Sequence, residues 1–155
     1  WLNTWVDSEL LASIEAPLKS QDTLHTFTQA LASKKHEGSL ILAPISSLKS
    51  RDDLSQVADF LFATKETEVV VVYGIQRNRV LLSARSRREN LHLGLALSKH
   101  FSDGQAGGHK GLAGGQILFE TLGFEEFADA EMKGNEILEA MAEHLHTIFA
   151  QEDTS

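Results

Sequence analysis

The feature that most constrains the fold is the run Glu68–Tyr73, which reads EVVVVY. Valine is β-branched, and its restricted side chain favours extended backbone over helix. A strand that is apolar at every position has to be buried on both of its faces. The run therefore predicts a strand at the centre of a sheet that helices cover on both sides.

The rest of the chain supplies partners for such a strand. The turn predicted over Gly74–Asn78 joins it to an alternating run, Arg79–Arg85, so that the two strands form a hairpin. Two short apolar runs, Ser39–Pro44 and Gln116–Thr121, predict further strands. Apolar residues at helical spacing predict five helices, over residues 7–16, Gln21–Lys35, Arg51–Phe62, Leu91–Phe101 and Asn135–Ala150. This order predicts an α/β domain, with α+β as the alternative, in which helices pack on a mixed sheet of about four to five strands.

Charge narrows the classes of ligand. The chain has 155 residues, 42% of them apolar, which suffices for a globular core. Its formal net charge of −8 argues against a protein that wraps duplex nucleic acid, because such proteins are basic. The charge is uneven, since residues 77–110 contain seven basic and two acidic side chains. A basic segment on an acidic domain favours a small anionic ligand or a short nucleic-acid strand.

Two absences narrow the class of protein. The sequence has no cysteine, which excludes disulfides and thiolate metal sites. It shows no signal peptide and no apolar run of membrane-spanning length, so we expect a cytoplasmic protein without a membrane partner. Because the chain begins at Trp1 instead of methionine, we expect it to be a fragment of a longer protein.

The residues that carry the most chemistry lie in a glycine-rich loop predicted over Ser102–Gly115. It holds six of the eleven glycines, and Gly107 and Gly108 directly precede His109. Glycine lets backbone N–H groups converge on an anion, and histidine can donate a hydrogen bond. The guanidinium of Arg85, one strand upstream, fits phosphate oxygens. Together these residues predict a phosphate-binding site.

Structural alternatives stay open for each of these residues. Glycine-rich loops also serve as flexible connections, and a single histidine such as His109 is often a solvated surface residue. Basic residues near turns are usually exposed without a ligand. That interpretation is favoured for Arg77, Arg79, Arg87 and Arg88, and Lys110 is only a secondary candidate for the site.

The combination of Arg85-Ser86, a helix and the run Gly107–Gly114 (GGHKGLAG) resembles the DHH-associated domain. This is the C-terminal, substrate-binding domain of DHH-superfamily phosphoesterases. The resemblance includes the preceding hairpin and extends from about Asp7 to Thr121. It implies two parts of the chain: an N-terminal helical segment, residues 1–37, that links to a missing catalytic domain, and a substrate-binding domain, residues 38–155.

Two positions depart from the family pattern. The family often has three or four consecutive glycines, and here Gln105-Ala106 interrupt that run. Leu112 stands where the family usually has alanine, so a larger side chain occupies a position of close helix packing. Neither change removes the histidine or the backbone donors.

The resemblance assigns a role to each candidate residue. Gly107 and Gly108 would offer backbone N–H groups to a substrate phosphate, and His109 would add a side-chain donor. Arg85 would contact a phosphate or stack on a base, and Ser86 could add a hydrogen bond. Contacts of this kind tolerate any base.

The resemblance also implies what this chain lacks. In the family, a separate domain holds two metal ions through aspartates and histidines that include an Asp-His-His triplet, and no such triplet occurs here. We therefore expect the divalent metal, manganese or magnesium, in a missing N-terminal DHH domain, and no catalytic residue or hydrolytic activity in this chain alone. The expected substrates are short oligonucleotides, cyclic dinucleotides or related phosphoesters, and a homodimer is conceivable. The alternative is a nucleic-acid-binding or dimerisation module without a hydrolase, as in the related domain of alanyl-tRNA synthetases.

Overall fold

The computed structural model describes residues 20–153, with side chains described through residue 150. The helix predicted over residues 7–16 lies outside this range. The α-helices are α1 (Gln21–Ser33), α2 (Arg51–Phe62), α3 (Leu93–His100) and α4 (Ala130–Asp153), and a short 3-10 helix spans Phe119–Leu122. The strands are β1 (Lys35–Glu37), β2 (Leu40–Ile45), β3 (Val69–Gln76), β4 (Arg79–Ser86), β5 (Ala106–Gly108) and β6 (Leu112–Leu118). In the described part of the chain, no helix has the length and apolar character needed to cross a membrane.

The strands form one mixed sheet in the order β1-β2-β3-β4-β6-β5. The strands β2 and β3 are parallel, with α2 as the crossover between them, and all other described neighbours are antiparallel. The sheet confirms the predicted α/β class, although it has six strands where four to five were predicted. The strands β1 and β5 have three residues each, which is too short for an alternating pattern to reveal them.

Helices cover both faces of the central strands. The valines from Val69 to Val72 have no exposed surface. Val69 and Val71 belong to the core that includes α3 and α4, whereas Val70 and Val72 belong to the core that includes α1 and α2. The prediction of a central strand buried on both faces is therefore confirmed.

The predicted loop over Ser102–Gly115 is wrong for much of its length. Three of its residues form β5, and β6 begins at Leu112, four residues before the predicted strand. Glycine is depleted in strands, so the sequence pattern hides this hairpin. The missing side chain is what permits it, because a Cβ on Gly115 would lie 2.5 Å from the carbonyl oxygen of Gln105.

Two helices begin where a side chain caps them, and not where their apolar pattern begins. His92 Nδ1 accepts the N–H of Leu95 at 3.1 Å, so α3 starts after His92. Asp129 Oδ1 accepts the N–H of Glu131 at 2.9 Å, which starts α4 five residues before the predicted Asn135. Such caps satisfy N–H groups that have no partner within the helix.

Two glycines allow α3 to contact the β5–β6 hairpin. A Cβ added to Gly94 would lie 2.2 Å from the carbonyl oxygen of Gly108. The N–H of Gly94 donates to the carbonyl of His109 at 2.9 Å, and the N–H of Leu93 donates to the carbonyl of Lys110 at 3.0 Å. The first turn of α3 therefore uses its free N–H groups to hold the hairpin tip.

We expect Gly94→Ala to destabilise the domain by about 1–3 kcal/mol, because the new methyl group has to displace the backbone of Gly108. Gly134→Ala is the matched control in α4, where a Cβ would meet Ile75 Cδ1 at an ordinary 3.7 Å. That change should stabilise the domain by about 0.5–1 kcal/mol, since alanine replaces glycine inside a helix. Urea unfolding measures both variants, and an unchanged stability of Gly94→Ala would contradict the close contact.

A pair of histidines joins α3 to α4. His100 Nε2 and His144 Nδ1 lie 2.7 Å apart, and both rings contact the ring of Phe101. A hydrogen bond between two ring nitrogens needs one donor and one acceptor, so at least one of the rings has to be neutral. Burial, and then the neighbouring His144, lower the pKa of His100 below its ordinary value.

This pair makes the stability of the domain depend on pH. The unfolded chain protonates His100 near its ordinary pKa of 6.5, whereas the native chain does so only at lower pH. In that window the unfolded state binds more protons, so the free energy of unfolding should fall as the pH falls below 6.5. His100→Gln should flatten this dependence, and His25→Gln, at an exposed position of α1, should preserve it. Urea unfolding between pH 7.5 and about 5 measures the effect, and a slope that His100→Gln leaves intact would contradict it.

Candidate anion-binding site

A cavity of about 640 Å³ lies between α2 and the part of the sheet formed by β4, β6 and β5. Its volume is in the range that holds small ligands. The lining residues are Arg51 and Ser55 of α2; Arg79, Leu82, Ser83 and Arg85 of β4; Asp103, Gly104 and Gln105; Ala106 and Gly107 of β5; and residues 112–116 and Leu118 of β6.

The floor of the cavity follows from side-chain alternation. Arg85 and Ser83 lie on the face of β4 that contacts α2, and Leu82 lies in the core on the opposite face. Gly114 is paired with Ser83, and Gly107 is paired with Gly114. These two glycines place no side chain in the row next to Ser83, so the floor is open there.

The wall of the cavity is one side of α2. Arg51, Ser55 and Asp59 are four residues apart, so they lie along one face of the helix. Asp59 Oδ1 is 2.8 Å from Arg85 Nε, and Ser55 Oγ is 3.4 Å from Ser83 Oγ. The row on the helix and the row on β4 therefore face each other along the cavity.

Arg85 is buried, with 6% of its surface exposed, and its position is fixed by hydrogen bonds. Nε donates to Asp59 Oδ1, and Nη1 donates to Ser83 Oγ at 3.1 Å and to the carbonyl of Ala84 at 2.9 Å. These bonds use three of the five guanidinium donors. Among the described residues, none accepts a hydrogen bond from Nη2.

The charged side chains that line the cavity are mostly cationic. Arg51, Arg79 and Arg85 line it, together with one acidic residue, Asp103. Arg79 Nη1 donates to the neutral amide oxygen of Gln116 at 2.6 Å. Within the described part of the chain, neither Arg51 nor Arg79 forms an ion pair. Such a cluster in a chain of net charge −8 attracts anions to one place.

Of the six residues predicted for the phosphate site, Arg85 and Gly107 line this cavity and the other four do not. Ser86 follows Arg85 in β4, so its side chain lies on the opposite face of the sheet. Its Oγ accepts the N–H of Arg88 at 3.1 Å, and its own N–H donates to the carbonyl of Gly111 at 3.0 Å. The role of Ser86 as a ligand stays a prediction.

His109 and Lys110 lie at the tip of the β5–β6 hairpin, and both are exposed. The N–H of His109 donates to the carbonyl of Leu112 at 2.8 Å, and Leu112 is paired with Arg85 across β6 and β4. His109 is therefore two strands from Arg85 at the same level of the sheet. Its backbone is fixed, while its imidazole is accessible from solvent.

The backbone donors of the glycine motif differ in direction. Hydrogen-bonded and non-hydrogen-bonded pairs alternate in an antiparallel hairpin. Because His109 is bonded to Leu112, the pair that contains Gly107 is also hydrogen-bonded, and the pair that contains Gly108 is not. The N–H of Gly107 is thus directed at β6, whereas that of Gly108 is directed at the edge of the sheet.

Sequence reasoning missed Arg51, Ser55 and Ser83 as lining residues. Arg79, interpreted from the sequence as a solvated residue near the turn, is half-buried at the start of β4 and lines the cavity. The signals were the two-residue alternation in β4 and the four-residue spacing in α2. Neither pattern shows which helix face opposes which strand. That information depends on the order of strands in the sheet.

A family model covers the strands from β2 to β6 and the helices α2 and α3 in full, and most of α4. The model of the DHHA1 domain matches residues 37–151, which is most of the chain. The chain belongs to the DHHA1 domain family. The resemblance to the DHH-associated domain, indicated by Arg85, Ser86 and the motif around His109, is therefore confirmed.

The relatives of this DHHA1 domain are longer proteins. An uncharacterized protein of Methanocaldococcus jannaschii is 30% identical over 130 residues, which cover 81% of this chain and 27% of that protein. An exopolyphosphatase-related protein of Bacteroides fragilis shares the fold, with a TM-score of 0.57 and 14% identity over 87% of this chain and 37% of its own. A pGpG-specific phosphodiesterase of Vibrio cholerae aligns with a TM-score of 0.45 and 13% identity, over 79% of this chain and 40% of its own. The chain thus spans well under half the length of each of these proteins.

The described residues do not fit a metal ion. Between residues 20 and 153, no group of three or more histidine, cysteine, aspartate or glutamate side chains is placed to hold one. The cavity of this DHHA1 domain is lined by three arginines and one aspartate, together with serine, glutamine, leucine, alanine and glycine residues.

The placement of Ser86 can be tested by the stability of the domain when this serine is replaced. Ser86→Ala should lower the free energy of unfolding by about 0.5–1.5 kcal/mol, because the N–H of Arg88 loses its acceptor. Ser102→Ala, at an exposed serine, is the control and should change stability by less than about 0.5 kcal/mol. Urea unfolding compares the two, and equal stabilities would contradict the hydrogen bond on the face opposite the cavity.

Proposed function

We propose that this DHHA1 domain binds the phosphate groups of a phosphodiester substrate in the cavity between α2 and β4. The observation that carries the proposal is that Arg51, Arg79 and Arg85 all line one cavity of an acidic chain. A guanidinium matches phosphate geometry with two parallel hydrogen bonds. The buried, hydrogen-bonded environment of Arg85 strengthens its contact relative to water.

Arg85 is the residue that we place against the phosphate. Its contacts with Asp59, Ser83 and Ala84 already fix the side chain, so binding at Nη2 loses little conformational entropy. The Asp59 side chain is 67% exposed, which leaves its carboxylate hydrated while it orients the guanidinium. Arg85 therefore offers a charged donor pair that is positioned before the ligand arrives.

The hairpin tip would extend the site at the level of Arg85. His109 is two strands away, which is about 10 Å between backbones, and its exposed imidazole could donate to a second oxygen of the ligand. The ammonium of Lys110, the next residue along the exposed hairpin tip, would be a further donor at this end. Ser86 would support this end of the site through the bond from its N–H to Gly111.

The floor of the cavity would accept the uncharged part of a nucleotide. Gly107 and Gly114 carry no side chain, and Leu112 beside them is 51% exposed. A base or a sugar could pack on this surface without a specific hydrogen bond, which suits a substrate of any sequence. We therefore propose short oligonucleotides or cyclic dinucleotides as the substrate class.

Hydrolysis itself is proposed for another part of the full protein. We expect a DHH domain with manganese or magnesium to supply the reactive water, while this domain holds the substrate. The cationic side chains that line the cavity support a binding role for this domain. The 155-residue chain alone should therefore bind without hydrolysing.

Titration of the 155-residue chain with the dinucleotide pApA tests the proposal by calorimetry and amide NMR shifts. We expect shifts at Arg85, Gly107 and His109, and binding that Arg85→Met weakens by about tenfold or more, because charge-assisted hydrogen bonds are lost. Lys99→Gln removes a positive charge of α3 outside the cavity and should change the affinity by less than about twofold.

The same titration of His109→Ala locates the ligand. A weaker affinity places the phosphate between the cavity and the hairpin tip, and in the full-length protein this variant should then raise KM and lower kcat. Thermal unfolding of each variant checks that it is folded. Absence of shifts near Arg85 and His109 at millimolar pApA would overturn the proposed function.

A further inference from the structure

The contacts between α2 and β4 show which ends of the two elements lie together. Asp59 contacts Arg85, and Ser55 lies next to Ser83. Following both elements toward their N-termini, Arg51 lies one helical turn beyond Ser55, about 6 Å further along the axis. Arg51 is therefore at the end of the cavity that is remote from Arg85.

Arg79 extends toward the same remote end. Its Nη1 is bonded to Gln116, and Gln116 is paired with Leu81 in the sheet. Leu81 and Arg85 are four residues apart in β4, so Gln116 and Arg85 are separated by about 13 Å along the strand direction. The cavity thus holds one arginine at one end and two at the other.

The two ends differ in how their charge is balanced. Arg85 is paired with the carboxylate of Asp59, whereas Arg79 has only a neutral amide partner. Asp103 is the single acid in the lining and forms no ion pair with Arg51 or Arg79 in the described part of the chain. Among the described residues, the arginines without an ion-pair partner are therefore at the remote end.

Nothing in the described floor blocks the path between the ends. Gly114 and Gly115 of β6 are paired with Ser83 and Leu82, midway between the levels of the arginines. Both glycines line the cavity and contribute only backbone to it. An extended ligand can therefore lie along the cavity and reach both ends.

We propose that Arg51 and Arg79 form a second anion subsite, which binds another phosphate of the same linear ligand. The inference rests on the proposed function, since it needs a first phosphate at Arg85. A mononucleotide would reach one end only, so the site selects a chain with at least two separated phosphates. Oligonucleotides and inorganic polyphosphate share this chemistry.

The test compares ligands of increasing length on the 155-residue chain. AMP, pApA and pApApA are titrated by calorimetry against the unchanged chain, Arg79→Gln, Arg51→Gln and the control Lys99→Gln. We expect Arg79→Gln and Arg51→Gln each to weaken the binding of pApApA by about tenfold, because one charge-assisted contact is lost. Both variants should bind AMP with an affinity within about twofold of that of the unchanged chain. Arg85→Met should weaken all three ligands.

The possible failures are distinguishable. If AMP does not bind and Arg85→Met has no effect on any ligand, the proposed function fails and the second subsite fails with it. A second outcome is that AMP binds through Arg85, that pApApA binds no more tightly than AMP, and that Arg79→Gln and Arg51→Gln leave the affinity for pApApA unchanged. That outcome overturns only the second subsite. The second subsite is also overturned if Arg79→Gln lowers the affinities for AMP and pApApA by the same factor, because a folding defect or a single shared site would produce that result.

The salt dependence of the affinity distinguishes the loss of a phosphate contact from a structural defect, because a structural defect does not change that dependence. Each phosphate contact on a single strand adds about −0.7 to the slope of log affinity against log salt concentration, so Arg79→Gln should make the slope for pApApA shallower by about that amount. A linear polyphosphate of about ten units, titrated in parallel, separates the two sources of phosphate. Tighter binding of pApApA than of polyphosphate assigns the subsite to oligonucleotides, and the reverse order assigns it to polyphosphate.

Discussion

Side-chain alternation along β4 connects the core of this domain to its candidate site. Leu82 is nearly buried in the core with α3 and α4, while its neighbours Ser83 and Arg85 face α2 and the cavity. A register shift of one residue would turn these polar side chains into the apolar core, where an unpaired charge is strongly unfavourable. The apolar face of the strand therefore determines where the arginines point, and the stability of the core maintains the geometry of the site.

The glycines of the motif serve two different physical purposes. Gly94, Gly108 and Gly115 permit backbones to approach more closely than any Cβ would allow. Gly107 has no such requirement, since a Cβ there would come no closer than 3.9 Å to Ser98 Cβ, and with Gly114 it keeps the cavity floor open. A glycine-rich sequence pattern cannot separate these purposes, because both require only that a side chain be missing.

Much of the fold could be predicted because it rests on local patterns. The valine run identified the central strand, and apolar spacing identified all four helices that the structure describes. The β5–β6 hairpin could not be predicted in the same way, because its stability comes from contacts with α3 and from close backbone packing at Gly108 and Gly115. The division of the chain at residues 37 and 38 stays a prediction.

Only the part of the candidate site that lies in a local sequence motif could be predicted. Arg85 and Gly107 belong to a contiguous motif that the sequence displays, whereas Arg51 reaches the cavity only because β4 lies beside β3 and α2 covers both. Its position depends on long-range strand order, which residue spacing does not encode. The same limit applies to Ser86, since the motif gives its neighbourhood along the chain but not the face of the sheet on which its hydroxyl lies.

The two proposed phosphate contacts, Arg85 and His109, are attached to different layers of the domain. Arg85 is held by Asp59 of α2, on one face of the sheet. The hairpin tip at His109 is held by the first turn of α3, which the His100 contact joins to α4 on the other face. A ligand that bridges Arg85 and His109 would therefore connect elements packed on opposite faces of one sheet. Because the sheet between them is fully paired from β4 to β5, the spacing of the two anchors is set by backbone hydrogen bonds and not by flexible side chains, and a substrate phosphate would meet a frame whose dimensions are already fixed.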